Sequence, residues 1–331
     1  MGKFVDLEKC IIHFFPPFRK FVTFSSLGNH GRFGNQLFQY SAVRAYSLKN
    51  NIPLILPFNK YHDLGKLNIN ANLAPLEKLK KVKREIYMEE GFHFNENFFK
   101  NVPRIDFHGF FQSYKYFSDY RELLIQELKI KNSKSFNYCK GYINKIRKKN
   151  PKIPIVALHN RRGDNVPHKE KYFDKKMGVF RPDKDNFHPL PSIEYFNRAK
   201  LYFPNAVFVV FSDNQKDINW CKKHINGEMH YYSEGHDKYE DFTLMQLCNH
   251  NIISNSSFSW WAAYLNNKIS DKNIVKKSKR WGLILNKVKL NAHKKHNFKN
   301  KLMKNKKINY IRINIFPDGG ISRVRVFGKV E

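Results

Sequence analysis

Acidic side chains are scarce in this chain. Its 331 residues hold 28 Asp and Glu against 60 Lys and Arg, a formal net charge of +32. That imbalance points to anionic partners: nucleic acid, a membrane surface or phosphorylated substrates. Cysteine is scarce too. Cys10, Cys139, Cys221 and Cys248 match neither the spacing of a zinc site nor a compact disulfide framework, so a reducing compartment fits. No run of about 18 apolar residues occurs, so no membrane span is expected. The apolar stretch 10–18 is short, broken by Pro16-Pro17, and lacks the small-residue cleavage site of a secretory leader. Zinc-finger spacing and RNA-binding aromatic motifs are missing as well, so nucleic acid is not the expected partner. Aromatic residues, by contrast, make up 15% of the chain and hydrophobic residues 41%. Those fractions exclude wholesale disorder, and the length suffices for a large core, most naturally in two domains.

The charge is unevenly spread. A dense part runs from Lys276 to Lys307 and includes Lys276-Lys277, Lys294-Lys295 and Lys306-Lys307. It reads as a solvated tail attracted to anionic lipid headgroups. A cytoplasmic protein in peripheral contact with the inner membrane face is the corresponding expectation.

Apolar runs and breakers predict strands at 21–25, 52–58 and 107–111, with helices at 35–49 and 116–129. Residues 64–104 show no clear period. The polar, basic stretch 131–150 is the candidate domain boundary. Beyond it, strands at 153–158, 206–211, 229–232 and 251–254 alternate with helices at 191–202, 217–225, 239–250 and 257–266. Such alternation implies an α/β protein with a helix-covered parallel sheet. The expected division is 1–150, 151–281 and a basic tail 282–331.

The most informative segment is His159-Asn-Arg-Arg-Gly-Asp164, directly after the apolar run Ile153-Pro-Ile-Val-Ala-Leu158. Arg161 and Arg162 thus leave the C-terminal end of a parallel strand, where open α/β sheets bind ligands. Guanidinium groups fork onto phosphate oxygens and stay charged. A pyrophosphate-bearing ligand is one reading and a solvated basic loop the other. Ser256 and Ser257 stand at the start of an apolar helix, where free N–H groups and hydroxyls suit a second phosphate contact or ordinary capping. Asp213 ends a buried strand at the same edge. It can accept from the N1–H and amine of guanine, or cap the next helix. Glu240 and Asp241 begin a helix, where the dipole alone favours acids; Asp241 is also a candidate ribose or guanine contact. Asn35 and Gln36 follow glycines at another helix start and could converge on a sugar phosphate. Trp260 and Trp261 read as core packing. The triplet Asp183-Lys-Asp185 lies in a polar insertion and reads as a solvated loop, so no metal is expected.

Three segments together carry a resemblance: Gly31-Arg-Phe-Gly-Asn-Gln-Leu-Phe-Gln-Tyr40, the Arg161-Arg162 core, and Ser254-Asn-Ser-Ser-Phe-Ser-Trp-Trp-Ala-Ala-Tyr-Leu265. In this order they closely resemble the bacterial α-1,2-fucosyltransferases of glycosyltransferase family 11, over about residues 22–281. Echoes at Gly109–Phe117, Phe211-Ser-Asp213 and Tyr239-Glu-Asp241 fall in the same order.

The resemblance implies a GT-B-like fold, with two Rossmann-like domains whose parallel sheets face a cleft and the donor held mainly by the second. It implies inverting transfer of L-fucose from GDP-β-L-fucose to the 2-hydroxyl of a galactose-terminated surface glycan. Arg161 would contact the β-phosphate, His159 would lie against the guanosine, and Asn35 would sit near the transferred sugar. Asp164, the nearest carboxylate, is the candidate general base, unless it pairs with Arg162. Asn165 departs from the family, whose members often carry Tyr there, and Arg32 stands where many have an apolar residue. The alternatives are another GDP-sugar, another fucose linkage, or an inactive glycan- or nucleic-acid-binding protein. Residues 308–328 separately resemble a strand–turn–strand segment of allantoicase, with alternating Ile311, Ile313 and Ile315 before Pro317-Asp-Gly-Gly320. Alone, that segment is too short to carry the allantoicase activity.

Overall fold

A computed structural model describes residues 20–29, 31–58, 63–91, 93–163, 172–174, 179–181, 190–266 and 298. The basic tail, the hairpin expected within 308–328, Cys10, Asp164 and the Asp183-Lys-Asp185 triplet lie outside the described residues.

The first half runs β1 (Phe21–Thr23), α1 (Phe33–Asn50), β2 (Leu54–Pro57), β3 (Asn72–Ala74), α2 (Leu76–Lys81), β4 (Glu85–Met88), β5 (Arg104–His108), α3 (Arg121–Glu127) and α4 (Ser133–Lys149). The second half runs β6 (Ile155–His159), β7 (Tyr172–Asp174), β8 (Val179–Arg181), α5 (Ile193–Lys200), β9 (Val207–Phe211), α6 (Gln215–His224), β10 (His230–Tyr232), α7 (Lys238–Leu247), β11 (His250–Ile252) and α8 (Ser257–Tyr264). Two sheets result. One has five strands in the order β3-β2-β1-β5-β4, the other four in the order β10-β9-β6-β11. All pairings within both are parallel. The α/β fold with two parallel sheets is therefore as the sequence implied. Among the described residues of the insertion after β6, β7 and β8 form an antiparallel pair.

Burial explains which strands form. A parallel strand covered on both faces must be apolar throughout, and β6 and β9 are buried at every position. At the sheet edges the demand relaxes. In β4 only Tyr87 is partly covered, while Ile86 and Met88 are exposed. The polar stretch 131–150, the candidate boundary, holds helix α4. Asn132 caps it by accepting from the Lys134 and Ser135 amides at 2.9 and 3.3 Å. Cys139, Ile143 and Ile146 form a buried stripe, and the lysines between them occupy the other faces. Arg147 Nη2 donates to the Leu247 carbonyl at 3.2 Å, tying α4 to α7.

One contiguous core joins the two sheets, running from Val22 and Phe107 through Phe38 to Val209 and Trp261. Trp261 is fully buried, stacked on Phe117 with centroids 5.0 Å apart. Among the described residues no helix is long and apolar enough to cross a membrane.

Strand order locates the site. In the second sheet the chain steps from β6 to β9 and β10, then returns to the other side of β6 as β11. The switch point lies between β6 and β11. In the first sheet it lies between β1 and β5. Ligands of open parallel sheets bind outside the carboxyl ends of the strands at such points.

Candidate functional site

The loop after β6 carries His159, Asn160, Arg161 and Arg162 across the second switch point. Ser254, just past β11, ties it down: the Ser254 hydroxyl lies 3.0 Å from His159 Nδ1 and accepts the Arg161 amide at 3.1 Å. Burial pushes His159 down to about 4, so its imidazole is neutral at neutral pH and acts through hydrogen bonding and packing. Its ring lies 5.7 Å from that of Phe258. Asn160 is turned inward, its Nδ2 3.4 Å from Cys221 Sγ.

Both arginines meet acids from the β9–α6 junction. Arg161 Nη1 donates to Asp213 Oδ1, and the Arg162 amide donates to Asp213 Oδ2 at 2.7 Å. Arg162 Nε lies 3.3 Å from Asp217 Oδ1, and its guanidinium covers Trp220 at 3.7 Å from the ring centroid. The expected guanine acceptor, Asp213, is thus engaged at both oxygens. Asp217 and Trp220 were not singled out in the sequence. They stand four and seven positions after Asp213, but nothing local announces a partner more than fifty residues upstream.

The second expected phosphate contact lies across the switch point. Ser256 is the N-cap residue of α8, yet its hydroxyl makes no capping hydrogen bond. The start of α1 likewise has no side-chain cap, with Arg32 at the N-cap position. By contrast Asn132, Ser192, Asn214 and Asp237 each cap their helices. These two helix starts adjoin. A Cβ added to Gly34 would lie 2.6 Å from both Phe258 N and Ser257 Oγ, and 2.7 Å from Ser257 C. Further along, Phe38 meets Trp260 and Trp261 at 4.7 and 4.9 Å. The helices therefore run side by side with their N-termini together, so their positive dipole ends add. The glycine-rich turn after β1 and the Ser254–Leu265 segment form one place, not two.

On the first-sheet side, Asn35 Oδ1 accepts from Gln112 Nε2 at 2.9 Å, and Gln39 Nε2 donates to the Gly109 carbonyl at 3.0 Å. The loop after β5 is thereby fastened to α1. Glu89 fixes the other side of that loop by accepting from the Phe110 and Phe111 amides at 2.6 and 2.9 Å. Gln36 sits deeper and its Oε1 accepts the Asp63 amide. Asp63 is in turn bonded to Lys238 at 2.7 Å, so Gln36 connects the first-half turn to the start of α7.

Asp241 lies behind this edge. It accepts from the Ser233 hydroxyl, which also lies 2.6 Å from His236 Nδ1. Burial pushes Asp241 up to about 7, with Asp237 and Glu240 adding to the rise and the Ser233 bond opposing it. This network organises the loop after β10. His159, Arg161, Arg162, Asp213, Ser256, Ser257 and Asn35 thus gather at the joined carboxyl edges, while Gln36 and Asp241 are held one layer back.

The family model for glycosyl transferase family 11 matches residues 20–280. A second model, the allantoicase repeat, matches residues 246–331, overlapping the first and taking in well under half of the chain. An alpha-1,2-colitosyltransferase of Escherichia coli is 31% identical over 268 residues, covering 72% of this chain and 86% of that protein. The human galactoside alpha-(1,2)-fucosyltransferase 1 is 27% identical over 245 residues, 71% of this chain and 64% of the human protein. The chain thus matches less than two thirds of that relative's length. Among solved structures, POFUT1 in complex with GDP-fucose aligns with a TM-score of 0.46 and 16% identity, covering 78% of this chain and 96% of that one.

Proposed function

This chain belongs to glycosyl transferase family 11, and from that premise we propose that it transfers L-fucose from GDP-β-L-fucose to the 2-hydroxyl of a galactoside, with inversion. The observation that carries the reading is Arg161 at the β6–β11 switch point, near the uncapped start of α8. In this reading the donor diphosphate lies between them. As the bond from the sugar carbon to the β-phosphate oxygen breaks, negative charge grows on that oxygen. Fixed positive charge and helix N–H groups stabilise it there without reorganising. The acceptor hydroxyl attacks the opposite face of the sugar and loses its proton to a carboxylate, for which Asp164 remains the candidate. Asn35, joined to Gln112, faces the sugar from the first-sheet side. In this reading Arg161 and the helix start at Ser256 together take the place of a divalent cation.

One relative favours a second reading. The colitosyltransferase match suggests a donor lacking the sugar 3-hydroxyl. Such a change leaves the diphosphate site intact and alters only the contacts of one hydroxyl.

Nucleotide binding tests the guanosine part of the proposal. Calorimetry is expected to show GDP bound at least about tenfold tighter than UDP or ADP, roughly the 1.4 kcal/mol of one discriminating hydrogen bond. Equal affinity for all three would contradict a GDP-linked donor.

A further inference from the structure

Asp213 has an unclaimed role in this reading. As a guanine acceptor it would need a carboxylate edge turned to the ligand. Instead Oδ1 takes Arg161 Nη1 and Oδ2 takes the Arg162 amide at 2.7 Å, so one carboxylate binds the side chain of one arginine to the backbone of the next. Gly163 closes the arrangement. Its φ is +39°, and a Cβ there would lie 2.5 Å from Arg161 Nη1 and 2.9 Å from Asp213 Cγ.

Asp217 repeats the pattern one helical turn on. It accepts from Arg162 Nε at 3.3 Å, from the Gly163 amide at 3.1 Å and from Asn214 Nδ2 at 2.8 Å, while Trp220 lies beneath the Arg162 guanidinium. The β9–α6 junction therefore grips the arginine loop at four successive points: the Arg161 side chain, the Arg162 amide, the Arg162 side chain and the Gly163 amide.

We infer that Asp213 is the positioning residue that aims Arg161 at the leaving group, and not the reader of the base. This rests on the proposed donor chemistry. Arg161 is only 8% exposed, and a guanidinium that far from water needs a paired carboxylate to stay in place. Catalysis by fixed charge requires that the charge be aimed before the reaction starts. A guanidinium carries five N–H donors, more than one carboxylate can occupy, so a pairing at Nη1 and a phosphate contact are compatible. The carboxylate also has a cost for ground-state binding, because it opposes an anionic ligand.

The test compares the wild-type protein with Asp213→Asn and Asp213→Ala in two measurements: turnover of GDP-fucose, resolved into kcat and KM, and calorimetric titration with GDP and UDP. A positioning role predicts a kcat at least about tenfold lower in the Ala variant. The Asn variant, which keeps an acceptor oxygen, falls between. GDP affinity holds or rises as an opposing charge is lost, and the ratio of GDP to UDP affinity stays unchanged. A collapse of that ratio with kcat preserved at saturating donor would overturn the inference in favour of base recognition. A lowered melting temperature with unchanged kcat would also overturn it, by showing a merely structural bond. Should the wild type fail to use GDP-fucose, the donor assignment fails. That outcome overturns the donor reading on which the inference rests, and it is distinct from an active wild type with unchanged kcat in the Asp213 variants, which overturns the inference alone.

Discussion

Replacing Arg161 by Ala is expected to lower fucose transfer at least about a hundredfold, equivalent to about 2.7 kcal/mol of transition-state stabilisation. Charge on the leaving diphosphate is largest in the transition state, so the loss should fall on kcat more than on donor affinity. Arg161→Lys should recover only part of the rate, since an ammonium keeps the charge but cannot fork across two oxygens. The substitution also unpairs Asp213, whose side chain is 19% exposed and can be rehydrated, so the fold should persist. Circular dichroism and a melting curve check this. Near-normal turnover in a folded Arg161→Ala protein would remove this residue from the leaving-group site.

The second large effect is on stability. Gly→Ala inside a helix ordinarily stabilises by about 1 kcal/mol. At Gly34, in the first turn of α1, the sign should reverse. The added Cβ would sit 2.6–2.7 Å from backbone atoms of Ser257 and Phe258, which cannot rotate away as a side chain can. Overpacking of this kind costs about 1–3 kcal/mol and sometimes more. Chemical denaturation of Gly34→Ala should therefore show a loss of about 2 kcal/mol or more. Activity should fall too, because separating the helices pulls apart the two converging dipole ends. A stabilised Gly34→Ala variant would mean that α1 and α8 do not approach as described.

How far such features can be read from sequence depends on burial. The runs that became β6 and β9 are apolar at nearly every position because both faces are covered, and their boundaries differ from expectation by only a residue or two. Strands β3 and β4 are short and border the first sheet, where exposed residues such as Glu85 and Ile86 erase the pattern. Helix α4 was hidden differently. Its stripe of Cys139, Ile143 and Ile146 is narrow, and the lysines around it dominate the composition.

Within the site, adjacency in the chain made Arg161, Arg162, Ser256 and Ser257 conspicuous, since each pair ends a strand or begins a helix. Partners distant in sequence were another matter. Asp217 and Trp220 look like ordinary residues of an amphipathic helix until folding brings Arg162 against them. Gln112 acquires meaning only through Asn35. Asp213 was conspicuous for its place at a strand end, but its bond to Arg161 depends on the register of β6 beside β9, with His159 opposite Phe211.

In the proposed reaction the donor is a GDP-linked 6-deoxysugar, and GDP leaves with the help of Arg161 and no bound cation. The most direct test is a single transfer assay: purified protein, GDP-fucose, a β-galactoside acceptor and excess chelator, with the product linkage read by NMR. The expected product is an α-(1→2)-linked fucosyl galactoside, formed at a rate that the chelator leaves largely intact. Strict dependence on magnesium or manganese, or transfer from UDP-galactose with none from GDP-fucose, would contradict it.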